Sequence, residues 1–407
     1  MNATSGEDVG DRLDGHFFAF EEAVGFGGAF VDLKHICLNL RRLGMRVTVA
    51  RSYEDPCWDP LVATGCTILT HTRWNLAEHL WRRHNTDRRI RMVAYGAEQL
   101  ALNVPIGVRY GLWARKHGVT VVFCNNAFTR NTGGVLASQI ARCPLYSYNQ
   151  GVPDGSGGYR QMLRVVDRHF TVSNYVREHE LRFGTDPSRT ETLYPGVDPA
   201  PDPTLTEPRR QDGRVRVGMV AVFTAWKGHL AFLQAFAQVA AQAPEADAWL
   251  FGKALPTEPE TPARIRAEIV RLGLEDRVRL VEGRTRPETI YPEVDFTVHC
   301  STLPEPFGRV VVEPMAYRRP VIAANSGGPL EVIRDGQNGY LVDPGKPAEL
   351  ADRILRFVRD RPHRLACGER AFQDVARRFS YPAVLEPLIH HLRADAERRR
   401  RAASPPR

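Results

Sequence analysis

Two kinds of segment recur along the chain. Short apolar runs bounded by glycine or polar residues alternate with longer stretches whose apolar residues fall three and four apart, the spacings of buried strands and of helices with one apolar face. HFFAFEEAV (16–24) predicts a strand and feeds the glycine loop Gly25 to Gly28. AFVDLKHICLNLRRLG (29–44) predicts a helix ending at Gly44, and MRVTVA (45–50) predicts the next strand. Strand, glycine loop, helix and strand make one right-handed crossover unit of a parallel sheet. CTILTH (66–71) leads into a helix around 75–84, and VTVVFCNN (119–126) into one around 132–142. PLYSYNQG (144–151) is another strand, HFTVS (169–173) precedes a helical NYVREHELRFG, and LYPGVD (193–198) closes the half.

The proline-rich PAPDPTLTEP (199–208) predicts an extended linker. After it the same pattern restarts. RVRVGMVAVF (214–223), AWLFGK (248–253), RVRLVEG, DFTVHCS and PVIAAN predict buried strands, with helices over 228–242 and from TPARIRAEIVRLGL. SYPAVLEPLIHHLRADAERR (380–399) predicts a last amphipathic helix. The expected architecture is α/β, with two doubly wound Rossmann-like domains facing across a cleft. The expected divisions are residues 1–205, 206–378 and a C-terminal helix with its tail, 379–407.

Composition narrows the function classes. At 407 residues, 43% hydrophobic and 25% charged, the chain has the balance of an ordinary globular protein. No run approaches the ~18 apolar residues of a membrane span. The polar, acidic start MNATSGEDVGDRLDG does not resemble a secretory signal, so the expected address is the cytoplasm. Cys37, Cys57, Cys66, Cys124, Cys143, Cys300 and Cys367 contain no C-x-x-C pair, which favours reduced thiols over disulfides or zinc. The net charge of +8 suits an anionic ligand or an anionic lipid surface. No zinc-finger, RNP or helix-turn-helix signature supports a nucleic-acid partner. WNLAEHLWRRHNTDRRIRM (74–92) has the Trp- and Arg-rich character of a peripheral membrane contact, though such a run is more often a solvated helix face over two buried tryptophans.

The densest candidate chemistry lies in EPFGRVVVEPMA, Glu305 to Ala316. Glu305 and Glu313 bracket Phe307-Gly308, where a glycine lets backbone pass close to a ligand. A helix starting there would turn free N–H groups toward a phosphate, with a carboxylate on each side for hydroxyls. The same spacing also describes a plain helix start with one capping and one solvated glutamate. Glu305 follows the strand DFTVHCS and so falls on the carboxyl edge of its sheet, where ligands of such sheets sit. Lys227 in WKGH could meet a diphosphate as a point charge, or stand in solvent at a helix start. Gly327 and Gly328 form another close-approach turn, or simply a strand–helix loop.

Taken in order, GGAFVDLKHICLNLRRLGMRVTV, TVSNYVREHELRFG, LYPGVD, WKGH, EPFGRVVVEPMA and GGPLEVIRDGQNGYLVDPG resemble family 4 of the retaining glycosyltransferases over essentially the whole chain. The resemblance implies a GT-B fold, with the acceptor mainly on the first domain and a nucleotide sugar on the second. It implies that Glu305 holds donor-sugar hydroxyls and Glu313 the nucleotide ribose. Lys227 and the Phe307-Gly308 backbone would hold the diphosphate. Gly27, Gly28, Arg309, Gly327 and Gly328 join the donor-binding set, and Asn149 the catalytic set with Glu305 and Lys227. It implies a metal-independent transferase, and no D-x-D motif argues for a cation. No cofactor is expected. The co-substrate would be a UDP- or GDP-sugar, and the acceptor a glycan, a lipid-linked sugar or a small hydroxyl compound.

Two positions depart from the family pattern. Val222 stands where an arginine usually accompanies the lysine, and Arg309 or a first-domain residue could supply that charge. Asn149 and Gln150 stand where many members have a histidine, and an amide cannot take up a proton near neutral pH. A GT-B epimerase or phosphorylase, and a non-catalytic nucleotide-sugar binder, remain alternatives. A dinucleotide oxidoreductase would need G-x-G-x-x-G, which GFGGAF does not match.

Overall fold

The computed structural model describes residues 12–21, 27–71, 90, 93, 96–97, 99–126, 132–153, 163–198, 208 and 212–403. The helix expected around 75–84, the basic stretch 74–92 (Ile90 apart), Gly25, Phe26 and the linker 199–208 (Pro208 apart) lie outside the described residues. The chain divides into two compact units, Met1–Tyr194 with Leu385–Arg407, and Pro195–Val384.

The first unit carries seven strands: β1 His16–Glu21, β2 Arg46–Arg51, β3 Thr67–Thr70, β4 Val121–Asn125, β5 Leu145–Asn149, β6 Arg168–Thr171 and β7 Thr190–Thr192. They are parallel and lie in the order β3-β2-β1-β4-β5-β6-β7. The β1 run HFFAFE is buried at every position, as expected of a central strand covered on both faces. The helix Gly28–Arg42 stops where its pattern stops. Gly44 takes φ +93°, and Met45 N–H returns to the Leu40 carbonyl at 3.0 Å. The apolar core on one face joins Phe18, Phe20, Tyr110, Val122 and Leu145. The final helix, Tyr381–Ala403, extends into this unit from Leu385 onward. There the Tyr146 hydroxyl donates to Asp395 at 2.7 Å and His391 Nε2 meets Glu191 at 2.7 Å.

The second unit carries β8 Val215–Val220, β9 Ala246–Gly252, β10 Val278–Glu282, β11 Phe296–His299, β12 Val321–Ala324 and β13 Gly339–Val342. They are again parallel, in the order β10-β9-β8-β11-β12-β13. Phe232, Phe236, Val217, Leu250, Phe296, Ile354 and Phe357 anchor its core. The two edge strands β7 and β13 are not among those that the sequence pattern predicts. In each sheet the chain winds outward one way from its first strand and then returns to wind the other way. The switch points fall between β1 and β4 and between β8 and β11, and in sheets of this kind ligands sit beyond the carboxyl ends of the strands at such a point.

Candidate active site

At the second sheet's switch point, β8 runs into the loop carrying Lys227 and β11 into the loop carrying Glu305. Gly228 makes the approach possible. At φ +76°, a Cβ there would lie 1.9 Å from the Cys300 carbonyl oxygen. Glu305 is 8% exposed, and three donors converge on its Oε1. Ser301 Oγ donates at 2.8 Å, His299 Nε2 lies at 3.1 Å, and Lys227 Nζ closes an ion pair. The histidine tautomer follows from its other nitrogen, since Nδ1 accepts the Ala324 N–H at 3.4 Å and Nε2 therefore carries the proton. Burial raises the Glu305 carboxyl, but the hydrogen bond from His299, then the charge and hydrogen bond of Lys227, outweigh it. The group is held well below the usual carboxylate range. Its Oε2 has no partner among the described residues. Lys227 Nζ also stands 3.9 Å over the Trp226 ring.

The Gly327-Gly328 turn packs on the backbone of this loop. Gly327 pairs with Glu305 in a parallel bridge, and its Cβ would lie 2.3 Å from the Glu305 carbonyl oxygen. A Cβ on Gly328 would lie 2.3 Å from Phe307 Cα. The two glycines thus set the height of the Glu305 loop. Phe307 is buried, and Gly308, at φ +89°, precedes the short helix Arg309–Met315.

Glu313 sits on that helix with both oxygens engaged. Arg309 Nε donates to Oε1 at 3.1 Å and the Tyr291 hydroxyl to Oε2 at 3.1 Å. Tyr291 is fully buried, and burial followed by the Glu313 charge pushes its phenol well up, so it stays a donor. Arg309 Nη1 reaches the Gly196 carbonyl at 3.2 Å. That guanidinium is therefore engaged by Glu313 and backbone. Val222, where the family pattern expects an arginine, lies in the loop after β8. Among the described residues no three His, Cys, Asp or Glu side chains gather as a metal site would require.

In the first unit, Gly27 is the cap of its helix with no side-chain cap bond, and a Cβ there would meet nothing within 4 Å. Gly28 is the first helical residue. Asn149 ends β5 and is 7% exposed, with Nδ2 donating to Glu180 Oε1 at 2.7 Å and Oδ1 accepting from Gly151 N–H at 3.3 Å. Its amide is turned into the unit. Gln150, the next residue, is the half-buried amide at the strand's end. The structure thus brings Glu305, Lys227, Phe307, Gly308, Gly327 and Gly328 together, with Arg309 and Glu313 on the adjoining helix. It adds His299, Ser301 and Tyr291, which sequence reasoning passed over. His299 and Ser301 sit at the end of DFTVHCS and were legible from the strand edge, whereas Tyr291 carries no local signal.

Two parallel sheets, each reversing its strand order beside its first strand, are the parts of a GT-B fold. Solved structures share that fold. Anabaena Alr3699/HepE, crystallised in complex with UDP and glucose, superposes with a TM-score of 0.76 at 24% identity over 94% of this chain and 100% of that one. A glycosyltransferase from Rickettsia africae gives a TM-score of 0.78 at 18% identity over 94% of this chain and 98% of that one. A family model described as "Glycosyl transferases group 1" matches residues 205–374, and one described as "Glycosyltransferase Family 4" matches residues 26–201. The chain belongs to the group 1, family 4 glycosyltransferases. The D-inositol 3-phosphate glycosyltransferase of Corynebacterium efficiens is 29% identical over 218 residues, 51% of each chain. The D-inositol 3-phosphate glycosyltransferase 2 of Catenulispora acidiphila is 32% identical over 246 residues, 54% of each. The chain thus spans about half the length of the curated relatives it matches.

Proposed function

We propose that the protein is a retaining, metal-independent glycosyltransferase that moves a sugar from a UDP- or GDP-sugar to a hydroxyl acceptor. The observation that carries the reading is the state of Glu305. A carboxylate held well below its usual range by three donors on one oxygen is a poor base and a poor nucleophile. It is well suited to accept hydrogen bonds from donor-sugar hydroxyls through the other oxygen. Glu313, aimed by Tyr291 and Arg309, would take the ribose hydroxyls. The backbone at Phe307-Gly308 and the ammonium of Lys227 would meet the diphosphate. Gly327 and Gly328 support that loop, and Gly27 and Gly28 offer open backbone in the first unit.

Cleavage of the glycosyl–phosphate bond leaves a nucleoside diphosphate and gives the sugar oxocarbenium character. Catalysis then rests on positive groups placed at the leaving phosphate. When a donor binds, Lys227 can turn to its phosphates while His299 and Ser301 keep Oε1 of Glu305 satisfied. With Glu305 unfit as nucleophile, the acceptor oxygen attacks from the leaving-group face and its proton passes to the departing phosphate. That route retains the anomeric configuration. The UDP and glucose bound in the Anabaena protein support a nucleotide-sugar donor.

Among the described residues no helix is long and apolar enough to cross a membrane. Leu100, Val108 and Leu112 are exposed beside exposed Arg109, Arg115 and Lys116, a pairing that suits contact with an anionic lipid surface. The experiment for the central reading is a panel of UDP-, GDP-, ADP- and dTDP-sugars scored for thermal stabilisation and nucleoside diphosphate release. An anomeric NMR spectrum of the product decides retention. No stabilisation and no release across the panel would overturn the reading, and an inverted product would overturn the mechanism.

A further inference from the structure

At the carboxyl edge of the first sheet, three side chains form a hydrogen-bond chain with a single direction. Glu21 ends β1, Asn125 ends β4 as its register partner, and Gln150 directly follows β5. Glu21 and Asn125 are both fully buried. Asn125 Nδ2 donates to Glu21 Oε2 and to the Ala29 carbonyl at 3.1 Å. A carboxylate and a carbonyl only accept, so the amide nitrogen must face them and Oδ1 must face away. That Oδ1 accepts from Gln150 Nε2 at 3.0 Å, and the same nitrogen approaches the Ala29 carbonyl at 3.4 Å. Hydrogen-bond chemistry thus fixes both amide orientations. The donor end of Gln150 is spent inward. Its Oε1 has no partner among the described residues, on a half-buried side chain at the end of β5, next to the switch-point strand β4. Asn149 is oriented the opposite way, into Glu180.

We propose that Gln150 Oε1 is a specificity contact for the sugar acceptor, receiving a hydrogen bond from a hydroxyl other than the one that reacts. Glu21 and Asn125 are positioning residues that keep Gln150 in its accepting orientation. The inference rests on the glycosyltransferase reading and deepens it by naming an acceptor class. The group entering here must donate a hydrogen, so neutral hydroxyls fit. A phosphate or carboxylate oxygen at the same place would face a carbonyl oxygen backed by the buried Glu21.

The test uses the full chain, the donor selected by the nucleotide-sugar panel, and myo-inositol, 1D-myo-inositol 3-phosphate and octyl glucoside as acceptor probes. Gln150→Met removes the accepting oxygen at similar volume. It should lower acceptor kcat/KM roughly tenfold, the scale of one lost hydrogen bond, while the Kd for nucleoside diphosphate stays within about twofold of wild type. Glu21→Gln can donate as well as accept, which releases the direction of the chain. It should also lower acceptor kcat/KM, with no further loss when added to Gln150→Met. An unchanged acceptor kcat/KM in Gln150→Met, or losses that multiply in the double variant, would overturn the proposal. If Glu21→Gln does not fold, Gln150→Met decides alone. A wild type that releases nucleoside diphosphate but transfers to none of the three probes would overturn the proposed acceptor class. A wild type that releases none from any donor would sink the underlying reading instead.

Discussion

His299 donates from Nε2 to Oε1 of Glu305 at 3.1 Å, and the bond has a fixed direction because Nδ1 takes the Ala324 N–H. One strand end therefore holds the carboxylate of the neighbouring loop before any ligand arrives. Replacing Glu305 by Gln should cut turnover by about two orders of magnitude while weakening nucleoside diphosphate binding only a few-fold. Steady-state kinetics with calorimetric binding separate the two effects, and equal loss in both would assign Glu305 to the nucleotide.

The same carboxylate links stability to pH. A folded-state value below the unfolded value of about 4.3 adds stability that is fully present above that pH. It is lost as pH falls through the folded value. Urea unfolding of wild type and Glu305→Gln should show a stability gap at pH 7 that narrows below about pH 4. A gap constant with pH would mean the carboxylate is not held as described.

Among the described residues Lys227 is the cation that pairs directly with Glu305. Lys227→Met should slow nucleoside diphosphate release on the order of 3 kcal/mol in barrier, about a hundredfold. Lys227→Arg should recover little of it, because a planar guanidinium is not a compact point charge. Full activity in the methionine variant would remove Lys227 from the leaving-group site.

Tyr291 and Glu313 give a milder test. Tyr291→Phe removes one donor from a carboxylate still held by Arg309, at a cost of about 1 kcal/mol. The Kd for nucleoside diphosphate should rise several-fold with kcat little changed. A kcat effect larger than the binding effect would move Glu313 from ribose to chemistry.

Two buried histidines predict a second pH window. Burial lowers both His169 and His229 to about 4. A histidine lowered in the folded state binds its proton preferentially in the unfolded chain between pH 4 and an unfolded value of about 6.5. Stability should therefore rise with pH across that window. Replacing His229 with Leu should reduce the slope by about one proton, measured as unfolding free energy against pH.

Much of the fold was legible in the sequence. Buried runs such as HFFAFE and VRVGMV, helices ended by glycine at Gly44, and a proline-rich break told of two parallel arrays, since these signals are local. The carboxyl-edge position of Glu305 followed from chain order alone. The orientation of side chains was not legible. Whether Asn149 or Gln150 meets a ligand depends on strand pleat and on which buried carboxylate each amide faces. Glu21 lies 104 residues from Asn125 and Tyr291 22 from Glu313, so no local pattern could pair them. The sequence by itself determined which elements form and which edge carries the chemistry, because periodicity and turn residues act over a few positions. Tertiary structure alone decided which atoms of that edge are spent inward and which are left for a ligand, because hydrogen-bond direction is set by partners that only folding brings together.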